Sequence, residues 1–284
     1  MLNQKIKKIV FIASYMKSGN TWMRAMICSL LNKGDFELKD LKKIKLFSQE
    51  TFFSKISGAK FQDNGNYDFN FISNNWINAQ KIINENTTDD IKFFKTHSVR
   101  GVVNNNYFTN ENVCKGYIYL IRDPRDIAIS LSKHMNVSID EAIDIILFQK
   151  NFVTNVFKVN EAVCTWKEHV KSWISFKKVP RLIIKYEDMV KNNIEAIQQV
   201  VNFLKILYEN KITINNETIN KVFNNTSFNN LQKLENKDGF IEATKKNNFF
   251  RKGTSEQWKT ILSKSQKGLI ERELKDLMQS LKYL

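Results

Sequence analysis

Lys17, Ser18, Gly19 and Thr21 stand together where they could hold an anion. They lie between an apolar run, Lys8 to Ala13, and a stretch in which Met23, Met26, Ile27, Leu30 and Leu31 recur at helical spacing. The first amides of a helix lack backbone partners, and the helix dipole places partial positive charge there. Lys17 adds a full charge, Ser18 and Thr21 add donors, and Gly19 lets the backbone curl towards a ligand. The guest this loop suits is a phosphate or a sulfate. It is not the ATP-binding loop G-x-x-x-x-G-K-[ST], because Lys17 precedes Gly19 and no glycine stands upstream at the required offset.

Other stretches carry chemistry of matching kind. The apolar run 116–121 leads into Arg122-Asp123-Pro124-Arg125-Asp126 and on to Ser130. Arg122 leaves the strand end as a forked cation suited to a phosphate monoester, and Pro124 punctuates a strand-to-helix turn. Near the C-terminus Arg251 and Lys252 supply charge, and Gly253 supplies an amide with no side chain in the way. The strand-like run 91–96 ends in Lys95-Thr96-His97. Histidine exchanges protons near neutrality, so His97 at a strand end is a candidate general base. His134 and His169 fall in the helical stretches 127–134 and 161–176 and read as surface or packed helix residues. Trp22 suits stacking on a purine.

In this order the motifs resemble those of the PAPS-dependent sulfotransferases, over about the full length of the chain. Lys17-Ser18-Gly19-Asn20-Thr21-Trp22 is similar to that family's 5′-phosphosulfate loop, with Met16 and Asn20 in place of a proline and a threonine. Arg122 to Ser130 resembles its 3′-phosphate segment, and Arg251-Lys252-Gly253 with Trp258 its closing segment, where Glu256-Gln257 replaces Gly-Asp. Lys95-Thr96-His97 matches the catalytic segment, although Ser98-Val99 replaces Leu-Pro. Tyr186-Glu187-Asp188 and Thr226-Ser227-Phe228 resemble segments near the adenine. The resemblance implies transfer of a sulfuryl group from 3′-phosphoadenosine 5′-phosphosulfate (PAPS) to a hydroxyl or amine of a small molecule or glycan, releasing 3′,5′-bisphosphoadenosine. His97 would be the base, Lys17 would stabilise the bridging oxygen and Lys95 the sulfuryl oxygens. Lys17, Ser18, Gly19, Asn20, Thr21, Trp22, Arg122, Ser130, Tyr186, Thr226, Phe228, Arg251, Lys252 and Gly253 would bind the donor, and no metal is called for.

Four apolar runs, near 8–13, 92–96, 116–121 and 181–186, are separated by helical segments, and a C-terminal amphipathic helix spans Leu269 to Leu281. This pattern predicts an α/β fold with a central parallel sheet flanked by helices, of the P-loop nucleotide-binding type. With 284 residues and no linker, repeat or low-complexity block, residues 1–284 are expected to form a single domain. No run reaches the ~20 apolar residues of a membrane span, and no signal peptide is evident. Three scattered cysteines suit a reducing cytoplasm and exclude a disulfide framework.

The net charge of +15 belongs in part to the anion site. The dispersed lysines read first as a Lys- and Asn-rich bias and second as a preference for an acidic acceptor such as a carboxylated sugar. Residues 35–90 and 135–160 are expected to wall the acceptor pocket with Phe47, Phe52, Phe53, Phe61, Phe69, Phe71, Trp76, Phe148 and Phe152. Three rivals stand beside the enzyme: a nucleotide-dependent kinase or phosphotransferase on a related fold, a basic polyanion binder without catalysis, and a sulfotransferase-like binder that has lost activity. No nucleic-acid module is found.

Overall fold

Ile9–Ser14 is buried at every residue, the mark of a strand covered on both faces. In the computed structural model, which describes residues 7–58, 61–63, 65–156, 158–240, 242, 249–250 and 252–284 (155 and 156 as backbone only), this strand is β1. The others are β2 (Lys45–Leu46), β3 (Lys92–Thr96), β4 (Val102–Val103), β5 (Asn106–Tyr107), β6 (Cys114–Ile121), β7 (Val153–Val156), β8 (Val159–Ala162) and β9 (Arg181–Lys185). Five of them form one parallel sheet in the order β2-β3-β1-β6-β9. The pairs β4-β5 and β7-β8 are short antiparallel ladders. Helices lie between β1 and β2, β2 and β3, and β6 and β9, whereas the connection from β3 to β6 carries the β4-β5 ladder.

Successive side chains of a strand point to opposite faces. Ile9, Phe11 and Ala13 of β1 therefore join one core and Val10 and Ile12 the other. Tyr117, Tyr119 and Ile121 of β6 lie on the first face, Ile118 and Leu120 on the second. Helix Asn20–Leu31 packs on the second face. The first face is aromatic: Phe47 meets Phe11 edge-on at 5.6 Å and Phe108 at 5.4 Å, and Phe108 lies 5.5 Å from Trp76.

The expected α/β sheet is present, with three local differences. Glu161, expected in a helix, lies in β8, and the helix behind it runs only over Trp166–Ile174 from the N-cap Thr165. The Thr165 hydroxyl accepts from the Glu168 amide and so starts that helix. The C-terminal helix is two pieces, Lys264–Glu273 and Lys275–Ser280, broken at Leu274. Phe47, Phe53 and Trp76, expected to face an acceptor, are fully buried in the aromatic core, where they cover the sheet.

That placement predicts the effect of Phe47→Ala. Urea unfolding is expected to show a loss of about 3–5 kcal/mol from the cavity left behind. An unchanged stability would contradict its place in the core.

Candidate active site

The sheet register aligns the carboxyl ends of the strands. Ala13 is opposite Thr96, Ser14 opposite Leu120, and Ile121 opposite Lys185. The residues leaving those strands, Tyr15 onwards, His97, Arg122 and Tyr186, therefore emerge along one edge, where ligands of parallel sheets collect. A cavity of about 1270 Å³ opens there. Lys17, Gly19, Asn20, Thr21, Trp22, Lys95, His97, Arg122, Ser130, Tyr186, Phe228, Lys252 and Gly253 all line it.

Two of the expected residues do not, and a third lies outside the described residues. Ser18 lies beneath the loop, its hydroxyl oxygen buried and without a hydrogen-bond partner among the described residues. Thr226 is fully buried and its hydroxyl donates to the Val222 carbonyl within the preceding helix, so a side-chain contact with adenine is not what it makes here. Its carbonyl instead accepts from Trp22 Nε1 at 2.8 Å and sets that ring in place. Arg251 lies outside the described residues.

Lys17 (φ 62°) and Gly19 (φ 94°) both adopt left-handed backbone, which turns the chain sharply from β1 into the helix Asn20–Leu31. Gly19 has a packing reason beyond its φ: a Cβ there would stand 2.7 Å from Tyr186 Cδ2. Gly253 repeats the device, with φ 64° and a would-be Cβ 2.3 Å from Phe228 Cγ. No side chain caps the helix at Gly19, so its first amides remain for a ligand. Asn20 turns inward instead, its Nδ2 donating to the Ile12 carbonyl at 2.9 Å and to Ser14 Oγ at 3.2 Å.

Trp22 stands edge-on to both Tyr186 and Phe228, each 6.0 Å away, which makes an aromatic corner beside the loop. The Arg122 guanidinium lies 4.1 Å above the Tyr186 ring, and its Nη1 donates to the Lys17 carbonyl at 3.0 Å. Nη2 reaches the Thr254 carbonyl at 3.3 Å. Asp126, one helical turn on, accepts from the amides of Glu256 (2.7 Å) and Trp258 (3.0 Å). It thereby anchors the closing segment over the Arg122 side of the cavity.

His97 is half-buried on the cavity wall. Its Nδ1 lies 2.8 Å from the Ser14 carbonyl oxygen, which can only accept. Nδ1 therefore carries the proton and Nε2 the lone pair. Burial first, and then the Lys95 charge, push the His97 pKa well below its ordinary value. The backbone on either side is clamped: Glu161 Oε1 accepts from the His97 amide (2.9 Å) and from Thr96 Oγ1 (3.1 Å). His169 Nε2 donates to the His97 carbonyl at 3.1 Å, while Tyr119 donates to its Nδ1 at 2.8 Å. His169 is thus the packed helix residue that its setting suggested.

Glu242 enters from the far wall. Its Oε2 accepts from Thr21 Oγ1 at 3.1 Å and from Lys95 Nζ at 3.2 Å, and its Oε1 from Arg24 Nη1 at 2.6 Å. Burial alone would raise its pKa, but Lys95 and Arg24 hold it far below the usual carboxylate range. Side chains from one helix and one strand thus converge on a single carboxylate beside His97.

Arg24, Asp126, His134 and Glu161 belong to this region and sequence reasoning did not single them out. Asp126 was readable, standing four residues after Arg122 on one helix face. Arg24 was readable as a charge on an otherwise apolar helix face. His134 lines the cavity, and burial together with Lys17 and Lys95 pulls its pKa down to about 4. Glu161 had no local signal. The expected aromatic wall is absent: Phe47, Phe52, Phe53, Phe61, Phe69, Phe71, Trp76, Phe148 and Phe152 do not line the cavity, because most of them cover the first face of the sheet.

Residues 7–282 match the family model described as the sulfotransferase domain. The chain belongs to the sulfotransferase family. It is 26% identical over 258 residues to luciferin sulfotransferase of Photinus pyralis, covering 89% of this chain and 67% of that protein. It is 26% identical over 270 residues to sulfotransferase 1B1 of Canis lupus familiaris, covering 90% of this chain and 79% of the relative. Its fold matches the crystal structure of mouse sulfotransferase SULT7A1 complexed with PAP, with a TM-score of 0.57 at 19% identity over 96% of this chain and 85% of that one. It also matches retinol dehydratase in a complex with retinol and PAP, with a TM-score of 0.63 at 19% identity over 97% of this chain and 83% of the other.

A Gly19→Ala variant of this sulfotransferase must force left-handed backbone on alanine and displace Tyr186. It is expected to lose about 1–3 kcal/mol of stability in chemical denaturation. A variant as stable as the parent would show that the loop relaxes freely.

Proposed function

We propose that this sulfotransferase holds PAPS along the aligned strand exits and uses His97 to take the proton of the acceptor. The donor supplies the sulfuryl group, and its 5′-phosphate is the leaving group. The cavity fits this donor on grounds of its own: uncapped helix amides, the aromatic corner of Trp22, Tyr186 and Phe228, and a cluster of cations already gathering a carboxylate. Lys17 and the loop amides suit the 5′-phosphate. Ser130, Lys252 and Gly253 suit the 3′-phosphate together with Arg122, once its guanidinium exchanges the carbonyls it now contacts. The kinase reading loses its ground with the family.

One observation carries the assignment of His97. The bond from its Nδ1 to the Ser14 carbonyl leaves Nε2 as the basic nitrogen, in the field of the Lys95 charge. Nε2 accepts the proton of an acceptor hydroxyl as its oxygen bonds to sulfur and the bond from sulfur to the leaving phosphate breaks. Lys17 and Lys95 oppose the charge that grows on the phosphosulfate oxygens, the term that contributes most when donors are fixed in advance. Residues 1–284 serve this one site as a single domain, and the three unpaired cysteines agree with a cytoplasmic setting. Among the described residues no helix is long and apolar enough to cross a membrane.

The test is release of bisphosphoadenosine from PAPS across a screen of hydroxyl and amine acceptors. His97→Ala is expected to lower kcat by about 10²–10⁴-fold while leaving bisphosphoadenosine binding in place. Turnover at the parent rate would remove His97 as the base.

The pH profile gives a second test. A histidine with a lowered pKa stays neutral, and so competent, until the medium is more acidic than its ordinary value. The acid limb of kcat/KM is therefore expected below pH 6.5, the unperturbed imidazole value. A limb at or above that value would contradict the environment described for His97.

A further inference from the structure

The sheet order divides the cavity. Arg122 and Tyr186 follow β6 and β9 on one side of β1, and they belong to the nucleotide in the reading above, on which this inference rests. Lys95 near the end of β3 and His97 just after it lie on the other side, with β2 beyond them. The acceptor must reach His97 from the β2 side. The wall there is built from the 3₁₀ helix Leu38–Lys43 and from β2, and it is cationic rather than aromatic. Lys39, Lys42 and Lys45 all line the cavity. Lys39 pairs with Glu37, but neither Lys42 nor Lys45 pairs with a carboxylate among the described residues. Both are exposed, at the mouth.

Arg24 connects this wall to the reaction centre. It is 4% exposed on the first helix, one turn beyond Thr21. Its Nη2 donates to the Leu41 carbonyl of the 3₁₀ helix at 2.8 Å, which aims the guanidinium along the wall. A nearly buried guanidinium needs an anion, and here it takes Oε1 of Glu242. The other oxygen of that carboxylate rests on Thr21 and Lys95. Glu242 therefore straddles two subsites, one among the donor's cations and one at Arg24 facing the lysine wall.

We propose that the acceptor is an acid: a molecule that carries a carboxylate, phosphate or sulfate beside the hydroxyl to be sulfated, selected by Arg24, Lys42 and Lys45. The acidic group replaces Glu242 at Arg24. One oxyanion is exchanged for another, so the desolvated guanidinium is never left unpaired. The lysines at the mouth draw an anion in and disfavour a cationic acceptor. An uncharged phenol or sterol would meet Leu38, Leu41, Ile44 and Leu46, which line the cavity between the lysines, but it would leave Glu242 in place at Arg24.

The experiment uses matched acceptors with saturating PAPS: 4-hydroxybenzoate against its methyl ester, and methyl glucuronide against methyl glucoside. The acid of at least one pair is expected to exceed its neutral partner in kcat/KM by about tenfold or more, the range of a charge-assisted hydrogen bond. Arg24→Met should bring that ratio close to one. Lys42→Ala/Lys45→Ala, at exposed sites that leave the fold intact, should lower it severalfold, and so should added salt. Neutral partners used as well as the acids in both pairs would overturn the proposal, as would a ratio that neither variant changes. An Arg24→Met variant that raises the KM for PAPS but keeps the ratio would give Arg24 to the donor and overturn it too. Parent enzyme that binds bisphosphoadenosine in calorimetry but turns over none of the four acceptors would defeat this inference alone. Absence of bisphosphoadenosine binding would defeat the donor reading instead.

Discussion

The parallel pairing of β1 between β3 and β6 is the constraint on which the rest depends. It sets Ala13 opposite Thr96 and Ser14 opposite Leu120, so the loop after β1 shares an edge with His97 and Arg122. Main-chain carbonyls then join the pieces. The Ser14 carbonyl orients His97 from 2.8 Å, and the Lys17 carbonyl receives Arg122 from 3.0 Å. Ser14 ends β1, and Lys17 lies in the loop between β1 and the first helix. A slip of one residue in the register would turn every β1 side chain to the opposite core and dismantle both contacts.

Electrostatics follow from that geometry. Strand exits that converge on an anion bring cations together, and cations in a partly dry cavity repel one another. The chain answers with a carboxylate of its own, Glu242, set against Thr21, Arg24 and Lys95. The same field keeps nearby imidazoles neutral. Burial leads, and Lys95 at His97, or Lys17 and Lys95 at His134, adds to it. The same cations thus keep the His97 imidazole unprotonated at neutral pH. Beneath it, Glu161 and His169 hold the main chain of His97 from two sides, which restricts the ring to one orientation.

Aromatic residues divide between two tasks. On the first face of the sheet Phe11, Phe47, Phe108 and Trp173 pack edge-on or tilted and fill the core. At the cavity Trp22, Tyr186 and Phe228 form a corner whose rings press against Gly19 and Gly253. A glycine opposite each of two rings lets the main chain approach closer than any side chain would permit. The loop after β1 and the segment around Gly253 consequently seat against the aromatic corner itself.

How far the sequence spoke can be judged from particular residues. Local order alone placed β1, Lys17, Gly19 and the helix after them, because strand period, turn chemistry and helix period are properties of neighbouring residues. It likewise marked Lys95, His97, Arg122, Ser130 and Lys252, each just past an apolar run or inside a compact motif. Tertiary structure decided what depends on distance through space rather than along the chain. It sent Phe47, Phe53 and Trp76 into the core, since hydrophobic pattern cannot tell a core face from a pocket wall when both are apolar. It turned Thr226 inward and brought Glu161, 64 residues from His97, beneath the candidate base. It placed Glu242 against Thr21, 221 positions away, and Arg24 against a wall of lysines. A charge in a sequence shows only its sign; which charge it faces is settled when strands and loops are packed together.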